Sequence, residues 1–133
     1  GANTVINGEG KDETFAIKSA LITKTADGED AVIITYEFTR LTGDADNFGN
    51  ATESAVYQNG AELDVLDTSD FTDETADKYL NKYNNYYSDI KPGYSIEITR
   101  AYLLRNTTDD VVVEVEEDDI FSVDLSISRT FSF

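Results

Sequence analysis

Residues 89–104 read DIKPGYSIEITRAYLL, and they hold the single proline of a 133-residue chain. Proline fixes its own φ, has no N–H to donate and biases the preceding residue toward extended backbone. Glycine follows at position 93, where positive φ carries no steric cost, so Lys91-Pro92-Gly93-Tyr94 predicts a type II turn. Beyond it Tyr94, Ile96, Ile98, Tyr102 and Leu104 share one face at period two, the spacing of a strand. The proline therefore stands just ahead of a long strand, before any ladder bond needs its missing N–H.

The same period runs outward in both directions. In AVIITYEFTR (Ala31–Arg40), Val32, Ile34, Tyr36 and Phe38 oppose Ile33, Thr35, Glu37 and Thr39, which predicts a central strand with the first set inward. FAIKSALITKT (Phe15–Thr25) places Phe15, Ile17, Ser19 and Leu21 opposite Ala16, Lys18, Ala20 and Ile22, and Asp27-Gly28 closes a hairpin onto the next strand. LTGDADNFGN (Leu41–Asn50) has the composition of a loop. A strand at Ser54–Gln58 meets the hairpin dipeptide Asn59-Gly60 and returns through Ala61–Leu66. Val111, Val113 and Val115 form one side of a later strand, and Phe121, Val123, Leu125, Ile127, Phe131 and Phe133 one side of the last.

Only Ser69–Tyr87 lacks this alternation. Ala76, Tyr79, Leu80, Tyr83 and Tyr86 recur there at helical spacing, with Thr72 or Asp70 as N-cap and Asp73 and Glu74 suited to the positive end of the helix dipole. The prediction is a short helix over Asp73–Tyr83, crossing between sheets. Seven or eight strands punctuated by turns predict an all-β, Greek-key antiparallel fold, a β-sandwich or a small barrel. Residues 1–14 read as a loose N-terminal segment able to lend a short strand, and residues 15–133 as one domain.

Composition narrows function by chemistry. Cysteine and histidine are absent, so a thiol nucleophile, a disulfide framework, the commonest zinc ligand and a Ser-His-Asp triad are all excluded. Twenty-seven acidic residues against ten basic ones give a net charge of −17, which repels nucleic-acid phosphates and anionic lipid and otherwise serves solubility. The chain opens on glycine and contains no methionine, so it reads as a processed or truncated product. Among candidate sites, Tyr79, Tyr83, Tyr86 and Tyr87 pair an apolar ring with a polar tip, as ligand stacking requires. Asp44 and Asp46 suggest an oxygen-rich calcium loop, but the EF-hand pattern fails at Phe48 and Ala55. Carboxylate pairs such as Glu116-Glu117 sit side by side in sequence, not across a cleft as glycoside hydrolysis requires.

AVIITYEFTR, VYQNGAEL (Val56–Leu63), the Pro92 turn with its strand, and VVVEVEEDDIFS (Val111–Ser122), together with FAIKSALITK, follow one another in an order that resembles a family. It comprises immunoglobulin-like domains of unknown function in Gram-positive surface lipoproteins, distantly similar to a secreted mycobacterial antigen. The resemblance implies a two-sheet sandwich, export, and a lipid anchor upstream of residue 1. It carries no catalytic residues. The resulting expectation is a non-enzymatic, extracytoplasmic binding or structural module without cofactors. Its partner would be a protein or a cell-wall glycan and not nucleic acid. It would contact the membrane only through the missing anchor, and it would be a monomer. The alternative expectation is a carbohydrate-binding module reading sugars through Tyr79–Tyr87.

Overall fold

A computed structural model describes residues 3–4, 12–118 and 125–133. In chain order its strands are β1 (Asn3–Thr4), β2 (Glu13–Lys24), β3 (Asp30–Arg40), β4 (Thr52–Gln58), β5 (Ala61–Glu62), β6 (Val65–Leu66), β7 (Ser95–Leu103), β8 (Val111–Glu117) and β9 (Ser126–Phe131). They form two antiparallel sheets, β1-β9-β8-β4-β5 and β2-β3-β7-β6, packed as a sandwich. The expected all-β class holds. β3 lies between β2 and β7, and its Val32, Ile34, Tyr36 and Phe38 are all buried in the main core with Ile98, Tyr102, Val111, Val113 and Val115.

The turn chemistry behaves as its residues dictate. Tyr94 N–H donates to the Lys91 carbonyl across Pro92-Gly93, with Gly93 at φ 92°, which is the type II geometry. Asn59 and Gly60 both take positive φ, 50° and 78°, and join β4 to β5 through a type I′ turn.

Several expectations change. Along β2 the alternation breaks between Ile17 and Ser19, where Lys18 is an extra residue. The bulge moves Ala20 and Ile22 onto the core and leaves Leu21 40% exposed, reversing the predicted face for the second half of the strand. The guanidinium of Arg129 donates to the carbonyls of both Ile17 and Lys18 and so fixes the bulge. Residues 61–66 are not one strand: β5 pairs with β4, but β6 pairs with β7, so the chain changes sheets around buried Leu63.

The loop at 41–50 ends in a single helical turn, α1 (Phe48–Ala51), capped by the Asn47 side chain, with Phe48 wholly buried. The predicted helix stops early. α2 spans Asp73–Tyr79 with Thr72 as N-cap, and after Leu80 the chain re-forms as a 3₁₀ turn at Tyr83–Tyr87. It does not cross between sheets, since β6 and β7 on either side of it are neighbours in one sheet. It folds over that sheet's outer face instead, where Phe71 and Leu80 make a second small core with Ala31, Ile33 and Ala101. Tyr94 precedes β7 and is 65% exposed, not inward. In the last strand Leu125 and Ile127 are buried while Phe133 lies in solvent, and Phe121 and Val123 fall outside the described residues.

Candidate functional site

β6 covers β7 only at Ala101 and Tyr102, so the N-terminal part of β7 would be an open edge. The 3₁₀ turn fills that edge. Thr99 N–H donates to the Lys82 carbonyl, the Asn85 side chain donates to the Glu97 carbonyl at 2.9 Å, and Lys82 Nζ pairs with Glu97 at 2.7 Å. An unpaired edge is a template for association, and covering it is one of the ways proteins manage it. The Lys82 ammonium holds the Glu97 carboxyl below its ordinary value by donating to it.

This placement distributes the tyrosines. Tyr83 turns outward, donating to the Leu66 carbonyl and packing with Tyr79 on the second core. Tyr86 turns inward against the main core, edge-on to Phe48 at 5.6 Å. Tyr87 stands edge-on to Tyr86 at 4.8 Å and is 68% exposed. The four rings do not share one open plane; Tyr87 alone presents a free ring. Gly49 of α1 lies under Tyr86 and Tyr87 so closely that a Cβ there would meet both.

Arg100 completes this corner. It occupies an inward slot of β7 between Ile98 and Tyr102, and its guanidinium lies 3.9 Å from the Tyr86 ring centre and 5.3 Å from that of Tyr83. Beneath it the hydroxyls of Tyr36 and Tyr102 are bonded at 2.8 Å. Burial raises both phenols above the ordinary value, Tyr36 the further, since its neighbour Tyr102 adds to the effect. The sequence signal for Arg100 was a charged residue in an apolar period-two position.

Asp44 and Asp46 serve the fold. The Asp44 carbonyl accepts from Arg40 Nε, Asp46 accepts from the Asn47 N–H, and the Asp46 backbone bridges to Ile90. Among the described residues no group of three or more carboxylates is placed to hold a metal.

A second feature lies on the outer face of the five-stranded sheet. There an open groove of about 890 Å³ is floored by Ala55, Ser126 and Ser128 and lined by Glu53, Glu62, Glu114, Glu116 and Asp118, with Tyr57 and Tyr86 on its sides. Glu53 stands directly opposite Glu116 across the β4–β8 ladder. Like charges in that position destabilise a sheet. The Tyr57 hydroxyl is pushed above its ordinary value by lost hydration and by the fields of Glu62, Glu114 and Glu116. Alternation placed these acids on one face of each strand, but the adjacency of β4 and β8 is a tertiary fact.

Residues 4–117 match the model of a family described as Domain of unknown function (DUF5067). The chain belongs to that family. Among solved structures it is similar to that of a "putative lipoprotein" from Staphylococcus aureus subsp. aureus NCTC 8325, with a TM-score of 0.60 and 18% identity over 91% of this chain and 83% of the other. That likeness is one of fold. No curated protein matches.

Proposed function

We propose that this DUF5067 domain is a non-enzymatic, extracytoplasmic binding module, immunoglobulin-like in its sandwich and tethered at a bacterial cell surface. We propose further that its binding face is the acidic groove on the outer sheet. The tether and the surface location draw their support from the staphylococcal lipoprotein of like fold. The groove draws its support from one observation: Glu53 and Glu116 oppose each other within a ring of five carboxylates, an arrangement that costs free energy in the unbound domain. A cationic partner relieves that repulsion on binding, and the same field speeds its approach. The partner fitting an open, extended groove with serine floor and tyrosine sides is a lysine- or arginine-bearing protein segment. A glycan read through the 79–87 tyrosines has less behind it, because only Tyr87 offers an open ring.

Calorimetric titration with a short oligolysine, repeated on Glu53→Gln/Glu116→Gln, tests the reading. Saturable binding that weakens with salt and falls at least tenfold in the double variant is expected. Binding equal in both proteins, or the same to an oligoglutamate control, refutes it.

A further inference from the structure

Of the chain's four arginines, Arg105 is exposed, while Arg40, Arg100 and Arg129 are buried or part-buried on strands and can be compared. Arg40 pairs with Glu13 at 3.5 Å and donates to the Asp44 carbonyl, and Arg129 donates to two carbonyls at the β2 bulge. Arg100 is different. Its Nε is buried without an acceptor, and among the described residues no carboxylate lies within ion-pair distance of it. In a chain with 27 acids and 10 bases, an arginine left unpaired next to a core needs an explanation.

The surroundings of Arg100 deepen the imbalance. Guanidinium carries five N–H donors and no acceptor. Its neighbours are the phenols of Tyr86, Tyr36 and Tyr102. The Tyr36–Tyr102 bond uses one hydroxyl proton and leaves the others available. Hydroxyls both donate and accept, yet none accepts from Arg100 Nε, and among the described residues no carboxylate balances the guanidinium charge. Arg100 is only part-buried, so the corner opens to solvent beside exposed Tyr87.

We propose that the Arg100–Tyr86 corner is a binding site for a carboxylate group whose attached body packs on the Tyr87 ring. A guanidinium already flattened on an aromatic face presents its N–H fork edge-on, and that fork matches the two oxygens of a carboxylate. The net charge of −17 favours a singly charged group over a phosphate dianion, which it repels about twice as strongly. The carboxylate belongs either to a peptide terminus or to an acidic sugar. The site adjoins the acidic groove and shares the Tyr86 ring with it, but its charged group, Arg100, is not part of the groove's lining.

The test follows the Arg100 Nε–H resonance of the ¹⁵N-labelled domain by NMR at constant ionic strength. Titrants are acetate, acetyl-dialanine, its amide, glucuronate and inorganic phosphate. The site predicts saturable shifts with the carboxylates, at millimolar affinity for acetate alone, and none with the amide. The tighter of acetyl-dialanine and glucuronate identifies the source of the carboxylate. Arg100→Lys, checked for folding by circular dichroism, is expected to weaken binding about tenfold, because a lysine lacks the fork. Tyr87→Ala is expected to weaken the larger ligands severalfold and leave acetate unchanged; being exposed, it also keeps the test alive if Arg100→Lys does not fold. A drift that never saturates, equal responses to acid and amide, unchanged binding in folded Arg100→Lys, or phosphate binding tighter than acetate overturns the proposal.

Discussion

Gly49→Ala sets two known effects against each other at the tyrosine corner. The added Cβ would stand 2.5 Å from Cε1 and 2.7 Å from Cδ1 of Tyr86, and 2.6 Å from Cε1 of Tyr87. Carbon atoms rest about 3.5–4.0 Å apart, so each ring must retreat by about 1 Å. Tyr87 can swing into solvent. Tyr86 is held between Phe48, at 5.6 Å, and the Arg100 guanidinium, at 3.9 Å. Overpacking of this kind costs about 1–3 kcal/mol. Against it, alanine is better than glycine in a helix by up to about 1 kcal/mol, only partly realised in a helix of four residues. Overpacking wins, and the net loss is about 1–2 kcal/mol. At about 2.1 cal/mol/K of unfolding entropy per residue, that lowers Tm by about 4–7 °C. Thermal and urea unfolding followed by circular dichroism read it directly. If Tyr86 causes the loss, Gly49→Ala made in a Tyr86→Ala background becomes neutral or stabilising. A stabilised single variant, or an equal loss in both backgrounds, refutes the reasoning.

Tyr36→Phe strands the buried Tyr102 hydroxyl and is expected to cost about 1–3 kcal/mol, with Tyr36→Phe/Tyr102→Phe costing less than the two single changes summed; urea midpoints check the cycle. Glu116→Gln removes the repulsion facing Glu53 and is expected to raise stability by about 0.2–1 kcal/mol at low salt, a gain that vanishes near 1 M salt. Glu13 has its native-state pKa raised above 4.5 because burial penalises its charge and Glu117 repels it, outweighing Arg40. The native state therefore holds this proton more tightly than the unfolded chain. The stabilisation is full below about pH 4.5 and is lost as pH rises through the native-state pKa. Glu13→Gln is accordingly expected to gain on wild type between pH 4 and pH 7; a flat difference in urea midpoint across that window refutes it.

What the sequence displays is set locally, and what it hides is set by contact between distant segments. The inward face of β3 and the turns at Asn59-Gly60 and Pro92-Gly93 follow from alternation and from φ preferences within a few residues. The Lys18 bulge does not. Its cause is Arg129, more than a hundred residues away, which satisfies the two carbonyls that the bulge strands. The end of α2 is equally non-local. Tyr83 and Tyr86 keep helical spacing in the text, but Lys82 must present its carbonyl to Thr99 and Asn85 its amide to Glu97, and a continuous helix cannot do both. Phe48 stands in a stretch with the composition of a loop, and its burial comes from contact with Tyr36 and Phe38 of β3. Arg100 was legible only as an interruption, a charge where period two called for an apolar residue.

That interruption follows from how the edge of β7 is covered. A partner strand as long as β7, instead of the two residues of β6, would have satisfied that edge with regular ladder bonds. A 3₁₀ turn satisfies only a few of those groups, through Lys82 and Asn85, and it projects side chains to both faces of the sheet at once. Tyr83 lands on the outer core and Tyr86 on the inner one, so the edge is closed by rings and not by backbone. A cation can lie against rings where it could not lie inside a ladder, which is how an arginine comes to occupy an inward slot without an ion pair. Edge protection and the Arg100 corner are thus one construction: the cover that keeps β7 from pairing with another chain also leaves a guanidinium at the margin of the core with no carboxylate beside it among the described residues and its Nε unpaired.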